Sequence, residues 1–257
     1  MRIVTETGDM CFKPRIIVTI PVWNESVRLE KAVNLVLQGI TRITDNYLIV
    51  IAEDGSTDGT DLIAATIARA HKKVIHLHSD RRLGRGAALR QAWTRIKGDL
   101  YIYMDCDMAT DIDSLQTMVR HLRDGIDLVT GSRYLRGSTV SRPLVRKIFS
   151  QAYNWIVRMA FRDDVFDHQC GFKGFSRKLV NEVLFRCKSR HWFWDTETIV
   201  LSKIGGYKVL EIPVRWEEKK GKRTVFKRLV FDTLEMGMGL LSIWVRTLPA
   251  RRRLNVS

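Results

Sequence analysis

An α/β domain built on a doubly wound, mostly parallel sheet is what the sequence predicts, and three observations carry that expectation. Short apolar runs rich in β-branched residues alternate with segments of helical periodicity as far as residue 130. Three of the runs end in polar turns, Asn24/Glu25, Glu53/Asp54 and Asp105/Asp107. The run before the last of these, Leu100-Tyr-Ile-Tyr-Met104, has no polar face, as a strand covered on both sides requires. Ligands of such sheets bind outside the carboxyl ends of the strands, so the three turns are expected to share one crevice.

Arg15-Ile-Ile-Val-Thr-Ile20 reads as the first strand, and Pro21, unable to continue a central strand, turns the chain into a loop holding Asn24 and Glu25. Residues 27 to 38 place Leu29, Val33, Val36 and Leu37 at helical spacing. Tyr47-Leu-Ile-Val-Ile-Ala52 is the second strand. It runs into Glu53-Asp54-Gly55-Ser56-Thr57-Asp58-Gly59, whose Ser, Thr and Asp can cap a helix over 60 to 70. A third strand over 74 to 78 follows, and Gly84-Arg85-Gly86-Ala87-Ala88 opens another helix. After the strand at 100 to 104 come a helix near 112 to 123 and the strand Leu128-Val129-Thr130, ending in Gly131-Ser132-Arg133.

The second half is less regular. It predicts helices near 142 to 161, 176 to 187 and 196 to 204, a loop at 163 to 174, and a strand over 208 to 214. Residues 226 to 245 carry Phe226, Val230, Leu234, Leu241 and Trp244 near one helical face. The longest charge-free run there, Met236 to Val245, is ten residues, about half of the roughly 20 a spanning helix needs. Two readings stand for it: a helix lying in a membrane interface, drawn to anionic lipid by Arg246 and Arg251-Arg252-Arg253, or a helix packed on the domain's own core. Residues 14–225 are therefore expected to form the catalytic domain and 226–257 an amphipathic helix with a basic tail.

Charge and cysteine usage narrow the function classes. The net charge of +15 is concentrated: residues 133 to 178 and 215 to 253 each contribute +7, as a surface that meets phosphates would. A pI near 10.0 leaves a nucleic-acid binder as a reading of another class, but no groove-reading helix or stacking motif accompanies it. Cys11, Cys106, Cys170 and Cys187 are widely spaced, which suggests neither a disulfide framework nor a zinc site and fits reduced thiols in a cytoplasmic setting. Residues 1 to 14 lack the apolar core of a signal peptide.

Asp105 and Asp107 form the densest chemistry. On an extended chain positions i and i+2 face the same side, so the two carboxylates can converge on one point. Hard oxygen ligands at a strand end suit Mg2+ or Mn2+ carrying a diphosphate. A solvated Asp pair in a turn is the plainer alternative, and the surroundings must decide.

Those surroundings resemble family 2 glycosyltransferases of the GT-A fold. The similarity rests on seven motifs in order across roughly residues 14 to 245: Pro21-Val-Trp-Asn24-Glu25, Glu53-Asp54-Gly55-Ser56-Thr57-Asp58, Gly84-Arg85-Gly86-Ala87-Ala88, Asp105-Cys-Asp107, Gly131-Ser132-Arg133, Asp167-His-Gln169-Cys170-Gly171-Phe172-Lys173 and Trp194-Asp195-Thr-Glu197. The last two look closest to dolichyl-phosphate glucosyltransferases. Arg133, Arg146 and Ser150 are spaced as in the corresponding mannosyltransferases.

The resemblance implies roles. Pro21, Glu25, Asp54, Gly84, Arg85 and Asp105 would hold the nucleotide sugar, with Asp54 accepting from the base and the glycines exposing N–H groups to phosphate. Lys222 and Arg223 would close over the diphosphate. Asp105 and Asp107 become the metal site, although Ala109 stands where some relatives carry a third ligand, and Arg82 stands where relatives often have Asn. Arg133, Arg146 and Ser150 would hold the phosphate of a dolichyl or polyprenyl acceptor, while Gln169, Asp195 and Glu197 would line the sugar or acceptor pocket. The expected reaction is inverting hexose transfer from GDP-mannose or UDP-glucose to the lipid phosphate, with Asp107, Arg133 and Asp195 at its centre. It would take place at the cytoplasmic face of a membrane, reached directly or through a membrane-protein partner. A transferase acting on a glycan hydroxyl is the rival, and it would need a general base such as Asp195.

Overall fold

The computed structural model describes residues 14–141, 143–217 and 235–248. Seven strands form the main sheet in the order β3-β2-β1-β4-β7-β5-β8. These are β1 (Ile16–Val22), β2 (Tyr47–Glu53), β3 (Val74–Leu77), β4 (Leu100–Met104), β5 (Leu128–Ser132), β7 (Phe172–Ser176) and β8 (Val209–Pro213). Every pairing is parallel except those of β7, which runs antiparallel between β4 and β5. A small parallel pair, β6 (Thr139–Ser141) with β9 (Arg215–Glu217), lies apart from the main sheet.

Alternation along β1 distributes its side chains to two helical layers. Ile16, Val18 and Ile20 pack with α1 (Leu29–Thr41), α2 (Thr60–Ala70) and α4 (Ser114–Arg123), whereas Ile17 joins the cluster of α3 (Arg85–Arg95), α6 (Arg177–Val183) and α7 (Trp194–Ile204). The second layer centres on aromatic side chains. Trp93, Tyr103, Phe175 and Trp194 meet at centroid distances of 5.3 to 6.5 Å, and Trp93 Nε1 donates to Thr19 Oγ1 at 2.8 Å.

Three departures from the sequence reading have physical reasons. Residues 172 to 176, inside and just past the expected loop, are the antiparallel strand β7; Lys173 and Gly174 conceal it, because the lysine is fully buried against a carboxylate. The helix expected near 176 to 187 ends at Val183 and tightens into a 3-10 turn over Leu184–Arg186. The short strands β6 and β9 carry too few residues for a period to show. The strand before the acidic pair ends at Met104 as expected, but Asp105 and Asp107 lie in a turn closed by the Met108 N–H donating to the Asp105 carbonyl, so it is the turn and not strand alternation that brings them together.

The long helix α5 (Leu144–Phe161) has most of its apolar side chains in solvent. Residues 235–248 form the last helix, α8. Its Ile243 is fully buried with Val157, Phe193 and Val200, while Met238, Leu241 and Val245 on its outer side are exposed. The segment thus packs on the domain's own core by one face and leaves a second apolar face uncovered. The expected boundary at 225/226 lies outside the described residues. Among those that are described, no helix is long and apolar enough to cross a membrane.

Candidate functional site

A crevice of about 620 Å³ opens at the carboxyl ends of β1, β2 and β4, where the three polar turns were expected to meet. Pro21, Glu25, Asp54, Arg85, Asp105 and Asp107 all border it. Glu53 does not: its carboxylate is buried beneath the turn, accepting from the Ser56 N–H at 2.5 Å and contacting His78. The loop after β1 is tied to the loop after β2 by Asn24, whose Oδ1 accepts from Thr57 N at 2.8 Å. Asp58 Oδ2 accepts from Ser26 N at 3.2 Å, and the Glu25 N–H donates to Thr60 Oγ1 at 2.9 Å.

Asp54 sits on the floor of this crevice. Its two oxygens accept the backbone N–H groups of Leu83 and Gly84 at 2.6 and 2.8 Å. Burial raises its pKa, and these two bonds together with Arg82 only partly offset that. Each oxygen keeps a second lone pair for a ligand. The start of α3 departs from expectation. The Gly84 N–H is spent on Asp54, and those of Gly86 and Ala87 on the Arg190 carbonyl, so these donors are not open to phosphate. Gly84 is required instead for close approach: at φ +98° a Cβ would meet His191 Nδ1 at 2.5 Å.

Arg85 is the central cation of the site. Its Nη1 lies 3.0 Å from Asp105 Oδ1, and its Nη2 contacts the fully buried Asp195. Asp195 also accepts from the Tyr103 hydroxyl and pairs with Lys173 Nζ at 3.1 Å. Burial would lower the Arg85 pKa, but Asp195 and Asp105 outweigh it and hold the guanidinium charged. The Arg85 Nε is buried with no partner among the described residues.

Asp105 and Asp107 stand where the crevice joins a second pocket of about 80 Å³, bordered also by Arg133, Gln169, Gly171 and Trp216. Burial pushes the Asp105 carboxyl up to about 6; Arg85 pulls it down, and Asp107 and Asp195 push it further up. Two carboxylates open to one cavity fit a hard divalent cation such as Mg2+ or Mn2+, which would share Asp105 with Arg85. Asp107 Oδ1 accepts from the Ala109 N–H at 3.0 Å, so the residue standing in place of a third ligand braces the second carboxylate through its backbone. Gly171 permits the arrangement, since a Cβ there would fall 1.7 Å from Asp105 Oδ2.

Arg133 is held rigidly. Its Nε and Nη2 contact both oxygens of buried Asp167 at 2.7 and 2.8 Å, and Arg133 keeps Asp167 below the usual carboxylate pKa although burial acts the other way. Ser150, buried on α5, donates to Gln169 Oε1 at 2.8 Å and so joins the smaller pocket through that amide. Arg146 lies on the exposed stretch of α5, and it does not border the pocket.

Glu197 corrects an expectation. It is fully buried away from the crevice, accepting from Lys188 N and Ser189 N at 3.0 and 2.7 Å and from Arg246 Nη1 at 2.7 Å. From α7, buried on all sides over residues 194 to 200, it clamps the 188–189 loop to α8. Asp195 likewise borders neither cavity and acts through Arg85 and Tyr103. Lys222 and Arg223 lie outside the described residues. Sequence reading missed His191 and Trp192, which border the crevice, and Trp23, which stacks under Arg82 at 3.7 Å. Aromatic residues in loops were the only available signal.

Comparison with known proteins accords with this geometry. The family model described as Glycosyl transferase family 2 matches residues 17–184. The chain is similar to "Glycosyltransferase AglD" of Haloferax volcanii, 39% identical over 230 residues that make up 88% of this chain and 36% of that protein. It therefore spans about a third of that relative's length. It is also similar to a "Dolichyl-phosphate beta-glucosyltransferase" of Drosophila melanogaster, 28% identical over 92% of this chain and 76% of that one. Among solved structures, the Pyrobaculum calidifontis mannosyltransferase in complex with GDP-Man and Mn2+ covers 92% of this chain and 65% of its own, at TM-score 0.63 and 19% identity. Glucosyl-3-phosphoglycerate synthase of Mycobacterium tuberculosis in complex with Mn2+, UDP and phosphoglyceric acid covers 90% and 78%, at TM-score 0.66 and 18% identity. At these identities the two structures establish a shared fold.

Proposed function

The chain belongs to glycosyl transferase family 2, and from that premise we propose that it moves a hexose from a nucleotide-diphosphate sugar to a dolichyl or polyprenyl phosphate at a membrane surface. One observation carries the reading: Asp105 and Asp107 stand between a large crevice floored by Asp54 and a small pocket walled by Arg133. The donor would lie in the first with its diphosphate at the acidic pair. The acceptor phosphate would enter the second.

The residues divide the work accordingly. Asp54 offers lone pairs to the nucleotide base, and Arg82 on Trp23 covers that end of the crevice. Asp105 and Asp107 would hold a divalent cation, which when bound supplies Lewis-acid stabilisation to the departing nucleoside diphosphate. Arg85 shares Asp105 and lies beside the same group, adding positive charge there. Arg133, fixed by Asp167, presents the rest of its guanidinium to the acceptor phosphate. A phosphate monoester has a second pKa near 6, so at neutral pH it is largely dianionic and attacks without a base. A single in-line displacement inverts the anomeric carbon, and an α-linked donor becomes a β-linked lipid phosphosugar.

Asp195 weighs against the rival hydroxyl acceptor. Its oxygens are occupied by Arg85, Lys173 and Tyr103, and it is fully buried, so it cannot collect a proton from a substrate in the crevice. The names of relatives such as the Drosophila enzyme place glucose ahead of mannose among donors to be tried. Membrane contact is supported by α5, where Leu144, Val145, Ile148 and Phe149 are 57 to 69% exposed beside Arg146 and Lys147. The same helix directs Ser150 toward Gln169, so a lipid tail and its phosphate would find their surfaces on one element.

The test is a screen of UDP-glucose, GDP-mannose and related donors with a short polyprenyl phosphate, with and without Mn2+. Cation-dependent formation of a β-linked lipid phosphosugar is expected. Transfer to a sugar hydroxyl with no turnover of polyprenyl phosphate would overturn the acceptor assignment.

A further inference from the structure

Behind the donor crevice, at the edge of the sheet, Glu53, His76 and His78 form a cluster that the transfer reaction does not use. One carboxylate oxygen and one ring nitrogen from each histidine lie within 4.8 Å of one another. The arrangement follows from the backbone: His76 is the third residue of β3 and His78 follows its end, so both face one side, and Glu53 ends the neighbouring strand β2.

His78 is exposed, His76 half-buried and Glu53 buried, and three details point to a ligand set. Glu53 is 2% exposed, and its second oxygen is already occupied by the Ser56 N–H, which fixes the carboxylate in place. His78 Nδ1 lies 2.5 Å from Glu53 Oε2, while its Nε2 faces Asp80 Oδ1 at 3.5 Å. An outer carboxylate on the far ring nitrogen is the arrangement that sets the tautomer of a metal-bound histidine. His76 Nε2 is buried and has no hydrogen-bond partner among the described residues, a state that native structures seldom leave unexplained.

We propose that Glu53, His76 and His78 bind a transition-metal ion of the zinc type, separate from the cation of the acidic pair. Two imidazoles and one carboxylate suit Zn2+ or Co2+ and leave a coordination position open, whereas Asp105 and Asp107 offer oxygen alone and suit harder ions. Bond lengths of about 2.0–2.2 Å require Glu53 and His78 to part by about 1 Å, within the reach of side-chain rotation. The ion would join β2 to β3 and stiffen the turn beginning at Asp54, because Glu53 holds that turn through Ser56. Its effect would be on donor binding and on stability, not on the chemical step.

The experiment is titration of the protein with Co2+ followed by visible absorption, with competition by Zn2+ and with Mg2+ as a control. It is run on the wild-type chain, on an Asp105→Asn/Asp107→Asn double variant, and on His76→Gln and His78→Gln. One equivalent of Co2+ giving a ligand-field spectrum, displaced by Zn2+ but not Mg2+ and retained in the double Asn variant, is expected. Either His→Gln change should weaken binding at least about tenfold. A spectrum lost in the double Asn variant, or unchanged in both His variants, would overturn the proposal. So would the absence of any Co2+ spectrum in the wild-type chain. Circular dichroism of each variant separates loss of the ion from loss of the fold.

Discussion

Arg85 lies 3.0 Å from Asp105, so the first carboxylate of the acidic pair already holds a cation supplied by the protein. The carboxyl is nonetheless pushed up to about 6, because burial and the neighbouring carboxylates outweigh that one guanidinium. Three consequences concern this end of the crevice and two concern the acceptor side.

A raised carboxyl takes up its proton as the pH falls through about 6, and proton and cation compete for the same oxygens. Mn2+ affinity, measured by electron paramagnetic resonance or calorimetry, should be full above that value and decline below it. Removing the positive charge in Arg85→Gln takes away the interaction that lowers the Asp105 pKa and should move the decline to higher pH. A pH-independent affinity between 5 and 8 would contradict this account.

Asp107→Ala should lower transfer by roughly 10²-fold or more, the scale of losing a group that stabilises a charged transition state. The side chain is a partly exposed turn residue, so thermal unfolding should barely change. Chelation of divalent cations from the wild-type chain should reproduce the loss, and restored Mn2+ should reverse it. Full activity in both tests would exclude the metal role.

Gly171→Ala places a methyl group where Asp105 Oδ2 now sits. The carboxylate must rotate away from Arg85 and from the pocket junction. Mn2+ binding should weaken about tenfold or more with the sheet intact, which circular dichroism and calorimetry together would show.

Arg133→Ala should do more than weaken acceptor use. It leaves Asp167 fully buried without its bidentate partner, a change that typically costs about 3–5 kcal/mol. Denaturant unfolding should register that loss directly. Arg133→Lys keeps one charge contact and should recover part of the stability while still raising the KM for polyprenyl phosphate, because the fork geometry is lost.

The outer face of α5 can be tested without touching the site. Replacing Val145 and Phe149, 63% and 59% exposed, by glutamate should leave folding and donor binding unchanged. Flotation with anionic liposomes at low salt should fall several-fold. Unaltered flotation would move membrane contact elsewhere on the molecule.

Local pattern sufficed for much of this molecule. The alternation of apolar runs and helical periods marks six of the seven strands of the main sheet, and the rule that ligands gather at strand carboxyl ends brought Asp54 and Asp105 into one crevice before any coordinates. Such features depend on neighbours in the chain, and one sequence carries them openly. The rest depended on partners far away in the sequence. Lys173 in a strand breaks every local rule for strands, and only the pairing of β7 between β4 and β5 shows it neutralised by Asp195. Asp195 and Glu197 are two residues apart on one helix and looked alike; packing gave one to Arg85 and Tyr103 beneath the site and the other to Arg246 and the loop at 188. The charge of a side chain is written in its identity, whereas its partner, and with that its function, is decided by which buried surfaces meet.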